Sequence, residues 1–242
     1  MGELEQQRDE LKSLVEASDN VVFFGGAGVS TESGIPDFRS KDGLYNQVYD
    51  YPPEQIISRS FFDAHPAEFY RFYRDRMLFE GVEPNRCHRK LAELEQTGHL
   101  KAVVTQNIDG LHQAAGSRCV HELHGSVLRN FCMDCHESYP LAYILASECV
   151  PRCGKCGGVV KPDVVLYEEP LDGAVIDQAV DAIRRADVLV VAGTSLVVYP
   201  AAGLINYYRG HKLVLVNKGV TGADSYADLV IHEKIGEVFS QL

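Results

Sequence analysis

The stretch Val21-Val22-Phe23-Phe24-Gly25-Gly26-Ala27-Gly28-Val29-Ser30-Thr31 runs four apolar, β-prone residues into three glycines and then two hydroxyl residues. This order predicts a buried parallel strand delivering a tight turn to a helix N-terminus. Such a turn suits phosphate, because glycines let the backbone approach an anion and free N–H groups point at it. Against the dinucleotide fingerprint G-x-G-x-x-G, Gly26 and Gly28 fit but Thr31 stands where the third glycine belongs. The glycines alone leave two readings open, a bare strand-to-helix turn or a cofactor loop. The continuation Gly34-Ile35-Pro36-Asp37-Phe38-Arg39 favours the second, since it packs a turn, a charge pair and an aromatic into one short loop.

Further apolar runs at 100–105, 164–166, 188–191 and 213–216, with a helix over 173–185, alternate strand and helix. That alternation predicts an α/β fold, a Rossmann-like parallel sheet with helices on both faces. Ligands in such sheets sit beyond the carboxyl ends of the strands, and polar clusters at 25–39, 106–112, Gly193-Thr194-Ser195 and Asn217-Lys218 each follow a strand. Helices are also expected over 3–17 and 84–96. Between 51 and 79, Phe61, Phe62, Phe69, Tyr70, Phe72, Tyr73 and Phe79 fall near helical spacing and predict a helical lid packed by its own aromatics.

Seven cysteines include Cys132-x-x-Cys135 and, after seventeen residues, Cys153-x-x-Cys156. This is the spacing of a four-thiolate zinc site, with an iron–sulfur cluster or disulfides as alternatives. Four thiolates close the tetrahedron, so a zinc ion here is structural. The expected organisation is a Rossmann-like domain of 1–44, 84–129 and 162–242, a helical insert over 45–83, and a small zinc-binding domain over 130–161. Cys149 is a poorer ligand candidate by its spacing.

The chain has 242 residues, is 45% hydrophobic and can bury a large core, yet no apolar run is long enough to cross a bilayer. The first residues lack a basic, apolar signal, so a cytoplasmic location is expected. A net charge of −11 argues against sequence-independent nucleic-acid binding and favours basic partners such as lysine-rich segments. No G-x-S-x-G elbow is present, and Ser195 sits in a phosphate-type turn, which counts against a serine hydrolase. His124, in Glu122-Leu123-His124-Gly125-Ser126, is a candidate general base at the junction with the insert, or one structural histidine among nine. Asn107 and Asp109 read as a cap and a turn residue, or with Asp37, Phe38 and Arg39 as holders of an amide-bearing ring.

In this order, Gly26-Ala27-Gly28-Val29-Ser30 through Arg39, Thr105-Gln106-Asn107-Ile108-Asp109, Glu122-Leu123-His124-Gly125, the paired cysteines, Gly193-Thr194-Ser195 and Val216-Asn217 resemble sirtuins, NAD-dependent protein-lysine deacylases. The resemblance spans about residues 15–240. It implies that Ala27, Thr31, Phe38, Arg39, Gln106, Ile108 and Asp109 line the NAD and nicotinamide pockets, with Asn107 helping to hold the nicotinamide. It also places Thr194, Ser195 and Asn217 on the pyrophosphate and adenosine side, with Ile235 at the adenine. It implies that an acyl-lysine oxygen attacks the ribose C1′ as nicotinamide leaves, giving an alkylimidate, and that His124 then acts as general base, through the ribose hydroxyls, for its rearrangement and hydrolysis. The products are lysine, nicotinamide and O-acyl-ADP-ribose, and the peptide is an added strand along Val164, Val165, Leu166 and Glu168. A mono-ADP-ribosyltransferase or a zinc-ribbon protein-binding module are the alternatives. Acetylated lysine-containing proteins are the expected partners; neither a membrane nor an oligomer is required.

Two departures matter. Tyr167-Glu168-Glu169 stands where many members have Phe-Gly-Glu, which adds negative charge near the cleft and favours basic flanks on the peptide. Members that prefer succinyl and malonyl groups carry Tyr-x-x-Arg in the lid, whereas Tyr70-Arg71-Phe72-Tyr73 here moves the arginine to Arg74. An acidic acyl group would be buried without that cation, so neutral acyl groups are expected substrates.

Overall fold

The structure, a computed structural model, describes residues 2–37, 43 and 51–242. Its strands are β1 (Val21–Gly25), β2 (Leu100–Thr105), β3 (Val120–Glu122), β4 (Gly125–Cys132), β5 (Ser138–Pro140), β6 (Val160–Val164), β7 (Val188–Ala192), β8 (Lys212–Val216) and β9 (Leu229–Ile231). Six of them form one parallel sheet in the order β3-β2-β1-β7-β8-β9, and the other three an antiparallel sheet, β5-β4-β6. Counted along the large sheet, that order is the doubly wound 3-2-1-4-5-6.

Side-chain alternation divides the large sheet's core into two layers. Val21, Phe23, Val188, Val190, Val214 and Val216 pack against helices Glu3–Glu16, Arg86–Gln96 and Ile235–Phe239. Val22, Phe24, Leu189, Val191, Leu213 and Leu215 face helix Gly173–Arg185 and the 3₁₀ segment Ala201–Tyr207. Both faces are covered, which is why these strands read as continuous apolar runs.

Two expectations change. The loop after β1 does not open an α-helix but makes two 3₁₀ turns, Ala27–Val29 and Thr31–Ser33. Gly28 N–H is drawn to the Gly193 carbonyl at 2.8 Å, and Gly34, at φ 91°, turns the chain away after the second. The run at 164–166 is no strand of the large sheet: Val164 ends β6 and pairs with Gly125. In β6 only Val160, Pro162 and Val164 are fully buried, the alternation of a sheet covered on one face.

The small sheet and the aromatic helices Pro53–Ile56, Arg59–Ala64 and Pro66–Arg76 share one apolar cluster, in which Phe61, Phe62, Phe69, Tyr70, Phe72 and Tyr73 meet Val127, Ile144, Val160 and Leu166. The buried Tyr70 hydroxyl donates to the Val160 carbonyl. At the far end of this sheet the four sulfurs of Cys132, Cys135, Cys153 and Cys156 lie within 4.8 Å of one another. Cys132–Cys156, Cys135–Cys156 and Cys135–Cys153 are 3.4, 3.4 and 3.6 Å apart. Zinc–sulfur bonds of about 2.3 Å in a tetrahedron space the sulfurs about 3.8 Å apart, so the set fits one zinc ion. None of the cysteines is in a disulfide. The Tyr139 hydroxyl donates to Cys153 Sγ at 3.1 Å, an outer hydrogen bond that orients the ligand.

Behind β1, His88 and His112 meet edge to face at 4.7 Å, both fully buried. Burial pushes His88 down to about 4 and His112 well below the ordinary histidine value.

Removing zinc is expected to unfold the small sheet, because binding energy in such sites is folding energy. Chelation should lower the melting temperature by more than about 10 °C, the shift that a loss of roughly 5 kcal/mol produces at this size. A metal-free protein, verified by elemental analysis, with unchanged melting would refute the structural role. The histidine pair sets an acid limit. Both are neutral when folded and charge when unfolded, so their contribution is present above pH 6.5 and lost as pH falls toward 4. For His88 the loss by pH 4 is about 3 kcal/mol. Urea titrations across that range should show His88→Phe flattening the slope.

Candidate active site at the switch point of the sheet

The large sheet reverses strand order between β1 and β7, and their carboxyl ends open onto a cavity of about 950 Å³. That is the upper end of the range for ligand pockets, roughly 300–1,000 Å³. Its walls bring together Gly26, Ala27, Gly28, Thr31 and Asp37, the run Gln106-Asn107-Ile108-Asp109, His124, Gly193-Thr194-Ser195, Asn217 and Ile235 from the large sheet. Val164, at the end of β6, and Val165, Leu166 and Glu168 just beyond it close the opposite side. Phe38 and Arg39 lie outside the described residues.

The glycines here have a second task besides admitting an anion. A Cβ on Gly28 would stand 2.8 Å from Gly193 Cα, and one on Gly26 2.7 Å from Thr194 Cβ. Gly193, at φ 60°, would itself meet Val29 N at 2.5 Å. The loops after β1 and β7 therefore cross backbone on backbone at the floor of the cavity.

Ser30, one of the two hydroxyl residues after the glycines, is the hub of the deep end. Its hydroxyl donates to Asp109 Oδ2 at 2.6 Å and accepts from Asn107 Nδ2 at 3.0 Å. Asp109 Oδ1 accepts Leu111 N–H at 2.9 Å. Burial raises the Asp109 carboxyl above its ordinary value, against the lowering by these bonds. Asn85 Nδ2 donates to the Val29 carbonyl at 2.7 Å and ties the same loop to helix Arg86–Gln96.

His124 Nδ1 lies 2.9 Å from the Gln106 carbonyl. A carbonyl only accepts, so Nδ1 carries the proton and Nε2 keeps its lone pair. Burial lowers the ring's pKa below the ordinary value and keeps it neutral near pH 7. Gln106 serves both sides of the cavity, because its Nε2 donates to Thr194 Oγ1 at 3.1 Å. On the opposite wall, Val165 N–H donates to the His124 carbonyl at 3.0 Å. At the other end of the cavity Asn217 Nδ2 donates to the Gly219 carbonyl at 2.8 Å, and Glu32 accepts Gly236 N–H at 2.8 Å, which fixes Ile235.

Glu168 departs from ordinary backbone geometry. It has φ 77°, a conformation costing a non-glycine residue about 1–2 kcal/mol. Its carboxylate accepts Ser60 N–H at 2.8 Å and Ser60 O–H at 2.9 Å. Arg59 N–H donates to the Tyr167 carbonyl at 2.9 Å, Phe61 N–H to Ser58 Oγ at 3.2 Å, and the N-cap Ser58 N–H to the Gln55 carbonyl at 3.1 Å. All four open donors of helix Arg59–Ala64 are thus satisfied, two of them by the Tyr167–Glu168 segment. This cap connects residues more than a hundred apart, and no local pattern announces it.

The Sir2 family profile matches residues 26–200. An NAD-dependent protein deacetylase of Clostridium perfringens is 60% identical over 242 residues, covering 99% of each chain. One of Clostridium acetobutylicum is 58% identical over 95% of each. Among solved structures, a Sir2 protein with p53 peptide and NAD+ is 40% identical with a TM-score of 0.84, covering 95% of this chain and 94% of that one. A Sir2 complex with deacetylated p53 peptide and 3′-O-acetyl-ADP-ribose has a TM-score of 0.88 at 38% identity, covering 96% of both. With a profile across most of its length and relatives this similar from end to end, the chain belongs to the Sir2 family.

Proposed function

We propose that this chain is an NAD-dependent protein-lysine deacetylase that releases lysine, nicotinamide and O-acetyl-ADP-ribose. The observation that carries the reading is His124, neutral and with Nε2 open, in one cavity with the Ser30–Asn107–Asp109 network. NAD, the co-substrate, supplies the activated ribose carbon. The glycine crossing, Ala27, Thr31 and Gly193-Thr194-Ser195 hold its pyrophosphate, and Asn217 and Ile235 its adenosine. The Asn107 amide and Asp109 carboxyl, with Gln106, Ile108, Asp37, Phe38 and Arg39, hold the nicotinamide in a water-poor pocket that favours its departure. His124 Nε2 accepts a proton from a ribose hydroxyl, and the Nδ1 bond to Gln106 keeps the ring aimed. The acetyl-lysine enters along Val164-Val165-Leu166, where a peptide adds as a strand. Partners are acetylated lysine-containing proteins. The unpaired thiols suit a reducing compartment, and the cytoplasm is the proposed location. No helix among the described residues is long and apolar enough to cross a membrane.

The expectation about acyl groups rests on where the lid's arginine goes. The Arg74 guanidinium donates to the carbonyls of Tyr70, Ile144 and Cys149, and neither Tyr70 nor Arg74 lines the cavity. Arg76 lines it and is itself engaged.

With acetylated peptide and NAD, His124→Ala should lower deacetylation about 10²–10⁴-fold, the usual worth of a positioned base. Nicotinamide release without deacetylation in the unaltered protein would identify a transferase instead. Because the base must be neutral and burial lowers its pKa, kcat/KM should rise with pH through an apparent pKa below 6.5 and be level at pH 7. Acetyl-lysine should be cleaved at least about tenfold faster than succinyl-lysine, since an acidic acyl group pairs poorly in this cavity; equal rates would refute the acyl preference.

A further inference from the structure

We infer that Glu168 selects substrates with a cationic side chain flanking the acyl-lysine, an inference that rests on the deacetylase reading. The residue lines the cavity from the wall assigned to the peptide, and its backbone sits in a left-handed conformation that a glycine would adopt without strain. Strain retained at a cleft is a pointer to function. The carboxylate's partners, Ser60 N–H and O–H, are both neutral, so they orient the charge without cancelling it.

Arg59 and Lys161, the cations that ion pairs place around the neighbouring Glu169, are committed elsewhere. Arg59 bridges Asp63 at 2.9 Å and Glu169 at 3.0 Å, and Lys161 reaches Glu169 at 3.1 Å. Among the described residues, Arg59 and Lys161 face the three carboxylates of Asp63, Glu169 and Glu168, which leaves one negative charge in excess. Arg129, on β4, is likewise occupied by Glu122 and Asp163, both at 2.7 Å. A peptide lying along Val164–Leu166 passes this excess charge, and a lysine or arginine beside the acyl-lysine satisfies it. Glu168 is exposed, so the gain is modest and screened by salt.

The test is a set of acetyl-lysine peptides differing only in the flanking residues, with lysine, alanine or glutamate at each of the two positions on either side. For the unaltered protein, kcat/KM should favour lysine over glutamate by about 3–10-fold at the responsive position, with the ratio shrinking as sodium chloride is raised to 0.5 M. Glu168→Gln keeps an acceptor for Ser60 and removes the charge, so the ratio should fall to near one. Ser60→Ala keeps the charge and removes one of its hydrogen bonds, so the ratio should persist. A ratio near one in the unaltered protein, or the same preference in Glu168→Gln, overturns the inference while leaving the deacetylase reading intact. Failure to deacetylate any peptide overturns the deacetylase reading and this inference with it.

Discussion

The crossing of Gly26–Gly28 over Gly193 is the contact on which the site depends. It is made of main chain, with Gly26 N–H on the Ala192 carbonyl at 3.1 Å and Gly28 N–H on the Gly193 carbonyl at 2.8 Å. It lies where the two halves of the sheet diverge, so each half places its ligand loop relative to the other through this point. Side chains could not do the same work, because a methyl group on any of the three glycines overlaps the opposing loop. Ser30, one turn further on, is delivered to Asp109 and Asn107 by the same crossing.

The second organising feature is the segment from Val160 to Glu169. It begins as a strand of the small sheet, passes His124 by the Val165 hydrogen bond, and ends by capping the first turn of helix Arg59–Ala64. The helical and zinc-binding portions therefore share both an apolar core and the stretch of chain assigned to the substrate. Glu169, held below its ordinary pKa by the Leu166 N–H, Lys161 and Arg59 against the opposing effect of burial, fixes the end of that segment. The four cysteines secure the distal edge of the same sheet.

Much of this was legible in the residues. Strands buried on both faces must be largely apolar, and β1, β2, β7 and β8 are, apart from Lys101 and Thr105 in β2 and Lys212 at the start of β8. The zinc ligands were legible because tetrahedral thiolate geometry is encoded in local spacing. The helix expected after β1 was misread because its glycines answer a contact with Gly193, far away in sequence. Val164–Leu166 looked like a sheet strand because short apolar runs do not say which sheet they join. Neither Ser30 as a hub nor Glu168 as a cap could be seen, since each depends on a partner 79 or 108 residues distant.

At Gly125 the chain enters the small sheet, and after Val164 it leaves it. The two passages touch: Gly125 has φ 74°, and a Cβ there would overlap the Asp163 carbonyl. The boundary is held by the bond from Val165 to His124, by Val127 N–H on the Ile108 carbonyl at 2.9 Å and by the Arg129–Glu122 ion pair. In architectural terms the zinc module is a cassette with adjacent terminals. Its distal turns carry the four cysteines, while its near end is held by those contacts and by the core it shares with the aromatic helices. The zinc-bearing turns are thereby set apart from the cleft wall, Val164 to Glu168, that is assigned to the peptide.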